Sequence, residues 1–262
     1  MISIHNKIVF VILVLFVSCN QDNNVSLQQN NDSPQTDSSQ LERTGYIMPG
    51  LDHGFEQSPI NINTTDSSST HAHKITFYFN DKINKIENLG HTVQLDFQEG
   101  STITYDDTIF TFKQCHFHTP SEHLIDGVTF PMEMHIVNVL ASAPKDKPQY
   151  LVIGILFKEG KENAFIKDFL NLIPKETDSN VKIKAGIIKL SDLFETIPKE
   201  LKGNYYNYRG SLTTPPYTES VRWFVSKHIF EASAAQIEVL NTIEGNNARH
   251  VQGIYGRTVV SK

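Results

Sequence analysis

Two short stretches of this chain, residues 114–118 and 132–137, constrain its fold more than any other feature. Their sequences, QCHFH and MEMHIV, alternate polar and apolar residues in the manner of β-strands. Because side chains alternate between the two faces of a strand, His116 and His118 share one face. If the strand that carries His135 pairs beside them, a third imidazole joins that face. We therefore predict neighbouring strands whose common face gathers three histidines.

Three histidines on one face predict a metal site. Imidazole is a common ligand of Zn²⁺, and three protein ligands with an open fourth position are typical of catalytic rather than structural zinc. An isolated His-x-His pair on a strand is more often a partly exposed polar face. The third histidine favours metal binding over that alternative. The predicted ligands are His116, His118 and His135, and the predicted cofactor is Zn²⁺.

Two polar residues fit the same face of the strands. Gln114 precedes His116 by two residues, and Glu133 precedes His135 by two, so each shares the face of the histidine that follows it. A metal-bound imidazole usually donates its other ring N–H to a carboxylate or carbonyl oxygen, which fixes the ring and strengthens the ligand. We predict Gln114 and Glu133 as these acceptors.

Further motifs follow in order along the chain. They are QSPINI at 57–62, NLGH at 88–91, SEH at 121–123, GSLTTPP at 210–216, VRW at 221–223 and NAR at 247–249. Together with the histidines, they closely resemble the α-class carbonic anhydrases, from about Gly54 to the C-terminus. The resemblance implies a mainly β, or α+β, domain with a large twisted, mostly antiparallel sheet and a few short helices. It also implies a zinc lyase that reversibly hydrates carbon dioxide to bicarbonate and a proton.

The resemblance assigns roles to three further residues. Thr213 and Glu122 match the pair that orients the nucleophile, because an ionised carboxylate only accepts hydrogen bonds and would hold the threonine proton. His91 matches the proton-shuttle position, and a histidine exchanges protons readily near neutral pH. Without the resemblance, His91 is equally an exposed loop histidine with no role.

Carbon dioxide is small and has no net dipole, so its site should be an apolar wall beside the metal. Val137 lies two residues beyond His135 on the same strand face and therefore joins that wall. By resemblance, the remaining substrate-binding residues are Val152, Leu212, Thr214, Val221 and Trp223. Each aliphatic residue alone would be read as ordinary core.

Two other functions remain open at this point. One is a catalytically silent carbonic anhydrase-like domain that only binds, and the other is a zinc-dependent esterase. Silent relatives typically lose one or more of the zinc histidines, whereas this chain keeps all three, which favours the enzyme.

The N-terminus predicts export. Lys7 precedes an apolar run over residues 8–17 that is too short to span a bilayer, and Ser18-Cys19 follows it. This pattern resembles a bacterial lipoprotein signal, with residues 1–18 removed and Cys19 lipidated. A plain secretory signal and an uncleaved anchor are the alternatives. We predict a lipid-anchored protein that faces the periplasm or the cell surface.

Composition completes the domain prediction. Residues 19–44 are rich in Asn, Gln, Ser and Asp and predict a disordered tether, followed by a carbonic anhydrase domain over 45–262. The net charge of −6 argues against a nucleic-acid partner. Only Cys19 and Cys115 occur, so no disulfide forms if Cys19 is acylated, and Cys115 is predicted to be a buried core residue.

Overall fold

The computed structural model describes residues 54–67, 73 and 75–262. Within them, the chain forms fifteen strands and three helices. The strands are β1 Asn61–Ile62, β2 Ile75–Tyr78, β3 Ile83–Asn88, β4 Val93–Phe97, β5 Thr102–Tyr105, β6 Thr108–His118, β7 Leu124–Ile125, β8 Val128–Thr129, β9 Met132–Leu140, β10 Tyr150–Glu159, β11 Ser179–Lys182, β12 Tyr205–Gly210, β13 Val221–Ser226, β14 Phe230–Ala232 and β15 Val260–Ser261. The helices are α1 Ala164–Leu170, α2 Leu190–Glu195 and α3 Ala234–Glu244.

The predicted signal peptide, the lipidated Cys19 and the tether over 19–44 all lie outside the described residues. Among the residues that are described, no helix has the length and apolar character needed to cross a membrane.

Twelve of the strands form one sheet. Nine of them lie side by side in the order β11-β3-β4-β6-β9-β10-β13-β12-β15, while β5 joins β6 to β2 and β14 pairs with β10. Strand β10 runs parallel to β13 and β14, and the other pairings in this sheet are antiparallel. The prediction of a large, mostly antiparallel sheet with a few short helices is confirmed.

The central strands are apolar because both of their faces are covered. Strand β10 reads YLVIGILFKE and is buried from Leu151 to Phe157, as expected for a strand inside a sheet with packing on both sides. The larger apolar cluster lies on one face and includes Phe117, Ile136 and the helix residue Phe169. Cys115 belongs to this cluster and is fully buried, as predicted.

The opposite face of the sheet carries the predicted metal residues. A smaller apolar cluster lies on this face and includes Val152, Tyr208 and Trp223. Because successive residues of β6 alternate between the faces, the histidines lie on this side while Cys115 and Phe117 enter the larger core. The sheet therefore separates the main core from a polar site built on its other surface.

Candidate metal centre

Strand pairing brings the three predicted ligand histidines together. His116 in β6 lies directly opposite His135 in β9, and His118 follows two residues along β6 on the same face. The ring centroids are 5.0 Å apart for His116 and His118, 5.3 Å for His116 and His135, and 4.5 Å for His118 and His135. One nitrogen of each ring lies within 4.8 Å of the other two. With Zn–N distances of about 2.0–2.1 Å, two nitrogens bound to one ion are at most about 4.2 Å apart, so this limit is close to what a shared ion requires.

Hydrogen bonds to two of the histidines determine which nitrogen remains for a metal. The Oε1 atom of Gln114 accepts from Nδ1 of His116 at 2.8 Å, and Oε1 of Glu133 accepts from Nε2 of His135 at 2.8 Å. Each acceptor fixes the tautomer of its partner ring, because an amide or carboxylate oxygen has no proton to donate. Nε2 of His116 and Nδ1 of His135 are therefore left as unprotonated donors.

His118 gives the strongest indication of a metal ligand. It is only 3% exposed, and neither of its ring nitrogens has a hydrogen-bond partner in the described part of the chain. A buried polar group without a partner costs about 1–3 kcal/mol, so such a group calls for an explanation. A metal ion bound to one ring nitrogen would satisfy it. The residues present therefore fit a zinc ion.

Burial favours the ligating form of all three rings. Desolvation lowers the pKa of His116 well below its ordinary value, lowers that of His118 to about 4, and lowers that of His135. Neighbouring imidazoles act in the same direction, because two protonated rings would repel each other. The three rings are thus neutral near pH 7, which is the state in which imidazole binds a metal.

Both carboxylate oxygens of Glu133 accept hydrogen bonds from neighbouring groups. Its Oε1 accepts from Nδ1 of His123 at 2.7 Å as well as from His135, while Oε2 accepts from the backbone N–H groups of Glu122 and His123 at 3.0 and 2.8 Å. Burial alone would raise the pKa of Glu133, but His123 and His135 hold it well below the usual range. A buried anion is therefore held immediately behind a predicted ligand.

Glu122 and Thr213 lie together beside the histidines. Oε1 of Glu122 accepts from the backbone N–H of Arg249 at 2.9 Å, and Oε2 lies 3.7 Å from Nδ1 of His135. Burial raises the pKa of Glu122, whereas His135, the Arg249 N–H and the Thr213 hydroxyl act to lower it. The Thr213 side chain is almost buried and lines the same cavity as His116 and His135.

A buried hydrogen-bond chain behind the site was not predicted from the sequence. The Tyr208 hydroxyl lies 2.6 Å from Nε2 of His123 and 3.0 Å from Oγ of Ser58, which in turn accepts from the backbone N–H of Ser211. Nη1 of Arg249 donates to the Ser58 carbonyl oxygen. These residues are 85 to 191 positions apart in the chain, so no local pattern identifies them. These hydrogen bonds connect the histidine face to the C-terminal end of β12.

An apolar cavity of about 210 Å³ opens beside the histidines. Its walls contain most of the predicted substrate residues: Val137, Val152, Leu212, Thr214 and Trp223. Val221 is not among the residues that line this cavity; it packs in the smaller apolar cluster with Val152 and Trp223 and lines a second cavity, so its contact with substrate stays a prediction. Tyr150 lines the cavity but was missed, although its position two residues before Val152 on one strand face is a usable signal.

His91 lies on an exposed loop next to the site. Nδ1 of His91 lies 2.9 Å from the Leu89 carbonyl oxygen, which leaves Nε2 for exchange with solvent. The Asn247 side-chain amide donates to the backbone oxygens of both His91 and Phe117, at 2.7 and 3.1 Å. Asn247 thereby ties the His91 loop to the strand that carries His116 and His118.

Comparisons with known proteins agree with this geometry. The family model for eukaryotic-type carbonic anhydrases matches residues 47–262. A carbonic anhydrase of Neisseria gonorrhoeae is 38% identical over 212 residues, which cover 79% of this chain and 77% of that protein. A carbonic anhydrase of Pectobacterium carotovorum is 34% identical over 79% of this chain and 80% of that protein. Among solved structures, the α-carbonic anhydrase of Thermovibrio ammonificans in complex with sulfanilamide has a TM-score of 0.72 and 34% identity, covering 79% of this chain and 87% of that one.

Proposed function

The chain belongs to the eukaryotic-type, or α, carbonic anhydrase family and catalyses the zinc-dependent, reversible hydration of carbon dioxide, and we propose that His116, His118 and His135 hold its zinc. The observation that carries this assignment is the buried His118 ring, whose two nitrogens have no hydrogen-bond partner in the described part of the chain and which lies beside the other two rings. Gln114 and Glu133 support it, since each fixes one ligand ring in the orientation that binding needs.

The three imidazole rings are neutral, so they do not reduce the charge of a bound zinc ion. Zinc held by neutral imidazoles supplies hydroxide near neutral pH, an effect for which carbonic anhydrases are themselves the standard example. Thiolate or carboxylate ligands would partly neutralise the ion and weaken the effect. The chemistry of this donor set therefore suits the hydration of carbon dioxide.

Glu122 and Thr213 orient the nucleophile. A nearby dication favours the ionised form of Glu122, and an ionised carboxylate only accepts hydrogen bonds. Glu122 therefore accepts the Thr213 proton and leaves the Thr213 oxygen to accept a hydrogen bond from the nucleophile. The backbone N–H of Arg249 supports this arrangement, because it holds Oε1 of Glu122 in place.

Carbon dioxide and the product proton use different parts of the site. Carbon dioxide lies against Val137, Val152 and Trp223, whose side chains offer it contact without hydrogen bonds. His91 carries the proton between the cavity and buffer, and its exposed position supports exchange with solvent.

The protein acts outside the cytoplasm on a lipid anchor. Residues 1–18 serve as the signal peptide, Cys19 is acylated, and the tether over 19–44 holds the domain away from the membrane surface in the periplasm or at the cell surface. The apolar run over 8–17 and the small residue before Cys19 support this proposal. The test is expression in a Gram-negative host with labelled palmitate: the wild type should carry label in the membrane fraction and Cys19→Ser should not. Unlabelled wild type would contradict the anchor.

Catalysis itself is tested by stopped-flow hydration of carbon dioxide. The purified protein should be active, should lose activity to a zinc chelator and regain it with Zn²⁺, and should be inhibited by sulfanilamide. A zinc-loaded protein that binds sulfanilamide but does not hydrate carbon dioxide would contradict the assigned roles of Glu122 and Thr213.

A further inference from the structure

A second cavity, of about 390 Å³, lies beside the start of strands β10 and β13. Its volume falls in the range of small-molecule sites, about 300–1,000 Å³. Its walls include Tyr105, Phe110, Leu140 and Tyr150, which are aromatic or aliphatic, and the two arginines Arg209 and Arg222. The walls thus combine an apolar surface with two permanent positive charges, and they also contain the acidic residues Glu56 and Glu219.

The two arginines lie near one another, and neither has an ion-pair partner among the residues that the structure describes. Arg209 in β12 lies directly opposite Arg222 in β13. Burial and Asp106 raise the pKa of Tyr105, whereas Arg222 and Arg209 act to lower it. The Arg222 guanidinium lies 5.5 Å from the centre of the Tyr105 ring. In the described part of the chain, neither arginine forms an ion pair with a carboxylate, and the one side-chain hydrogen bond of Arg222 is a 3.5 Å contact with Asn207.

The acidic residues around the cavity are engaged elsewhere. Oε1 of Glu219 accepts from the backbone N–H of Glu56 and from Nε2 of Gln57, at 2.7 and 3.0 Å. Asp106, next to Tyr105, pairs with His73. Glu56 lines the cavity, and its charge acts on Arg257. Among the described residues, neither Glu56 nor Glu219 forms an ion pair with Arg209 or Arg222.

The hydroxyl of Ser220 adds a further polar group at this site. Ser220 lines the cavity, and its Oγ is buried with no hydrogen-bond partner among the described residues. A buried hydroxyl without a partner is uncommon in native proteins. A small shift of the Ser220 side chain toward the cavity would allow it to donate to an anion held by the arginines.

The cavity also adjoins the catalytic one. Tyr150 lines both cavities, and Val221, which packs against Trp223 in the smaller cluster, lines the second. A molecule bound between the arginines would therefore contact residues that also support the carbon dioxide wall.

We propose that this cavity, the arginine cavity, binds a small organic anion that carries a carboxylate on an apolar body. Arginine forms paired, charge-assisted hydrogen bonds with a planar carboxylate. Phe110, Leu140 and Tyr105 provide the contact surface for the apolar body. The cavity is much larger than bicarbonate needs, which favours an organic carboxylate over the product of the enzyme.

The test uses 4-phenylbutyrate as the probe and the purified zinc-loaded protein, with the catalytic cavity blocked by saturating sulfanilamide. Calorimetry should show that 4-phenylbutyrate still binds and that the neutral analogue 4-phenylbutanol binds much more weakly. The Arg209→Gln/Arg222→Gln variant should bind the probe about tenfold more weakly or worse, because charged hydrogen bonds are lost. Lys145→Gln removes an exposed positive charge outside this cavity and should bind normally.

The double variant could lose binding only because it misfolds, so the single variant Arg209→Gln is a second test. Arg209 is exposed, and its replacement should not disturb folding. It should also weaken binding while hydration of carbon dioxide in the absence of probe is unchanged. Competition by bicarbonate in the sulfanilamide-blocked protein tests whether the cavity prefers an organic carboxylate to the bicarbonate that the enzyme produces. Displacement of the probe at low bicarbonate would overturn the preference for an organic anion. Loss of probe binding on sulfanilamide addition, or equal binding of 4-phenylbutanol, would overturn the site itself.

Discussion

A β-carbon placed on Gly154 would lie 2.8 Å from Oε1 of Glu133, the oxygen that accepts hydrogen bonds from His123 and His135. Gly154 in β10 lies directly opposite His135 in β9, so the bare backbone gives the buried carboxylate its space. The missing side chain of Gly154 thus lets Glu133 hold a predicted zinc ligand in its binding tautomer.

Gly154→Ala should displace Glu133 and loosen His135. We expect a loss of about 1–3 kcal/mol in the free energy of unfolding from overpacking, and zinc affinity lower by about 10- to 100-fold. Competition with a fluorescent chelator measures the affinity. Gly127→Ala is the control, because its new methyl group meets nothing within 4 Å although φ is +79°. It should lower stability but leave zinc affinity unchanged, and equal zinc affinity in both variants would refute the role of Gly154.

Glu122→Gln should retain zinc and lose turnover. A neutral amide no longer has to accept the Thr213 proton, so the hydroxyl loses its fixed orientation. We expect turnover lower by about 10²-fold, in the range found when one positioned group is removed from a site. Adding Thr213→Val to the Glu122→Gln variant should lower turnover little further, because the two residues act as a unit. Additive losses, or unchanged turnover in Glu122→Gln, would argue against the pair.

His91→Ala should slow turnover in weak buffer and recover when imidazole is added. The ring carries protons to buffer, and added imidazole, which has the same functional group, replaces it. Stopped-flow rates at several buffer concentrations measure this effect. The control is His228→Ala, which removes a histidine that packs against Phe230 away from the cavity and should leave the buffer dependence unchanged. A His91→Ala rate that does not respond to buffer would discard the shuttle.

The stability of the metal-free protein should fall as the pH decreases from about 6.5 to 4. Burial lowers the pKa of His118 to about 4, so between these values the unfolded chain binds the proton that the folded one does not. The contribution of His118 is present in full above pH 6.5 and decreases by about 3 kcal/mol as the pH falls to 4.

Urea unfolding of the wild type and of His118→Gln, both without metal, measures this contribution. The difference in unfolding free energy between the two proteins should change across the interval, because His118 titrates in only one of them, while titratable groups away from His118 affect both alike. A constant difference between pH 7 and 4 would show that His118 titrates normally.

Much of the fold and of the metal face could be predicted because the signals are local. The two-residue period of a strand places Gln114, His116 and His118 on one face, whatever the rest of the chain does. The pairing of Glu133 with His135 follows from the same rule. The order of the motifs implied the large antiparallel sheet, and the structure confirms it.

Residues brought together by long-range packing could not be predicted in this way. The chain from His123 through Tyr208 to Ser58 depends on side chains that share no segment, and the Asn247 contact with the His91 loop spans 156 residues. Val221 belongs to the same apolar cluster as Val152 and Trp223 but is not among the residues that line the catalytic cavity, and strand register alone does not say which cavity the end of a strand meets.

The claim that three histidines hold a zinc ion is tested most directly by the zinc content of purified protein. Elemental analysis compares the wild type, a variant of each of the three ligands and one control variant. The account predicts one zinc per chain in the wild type and in His91→Ala, and none retained by folded His116→Ala, His118→Ala or His135→Ala after dialysis. A wild type without zinc that gains no hydration activity from added Zn²⁺, or a His118→Ala variant that keeps its zinc and its activity, would contradict it.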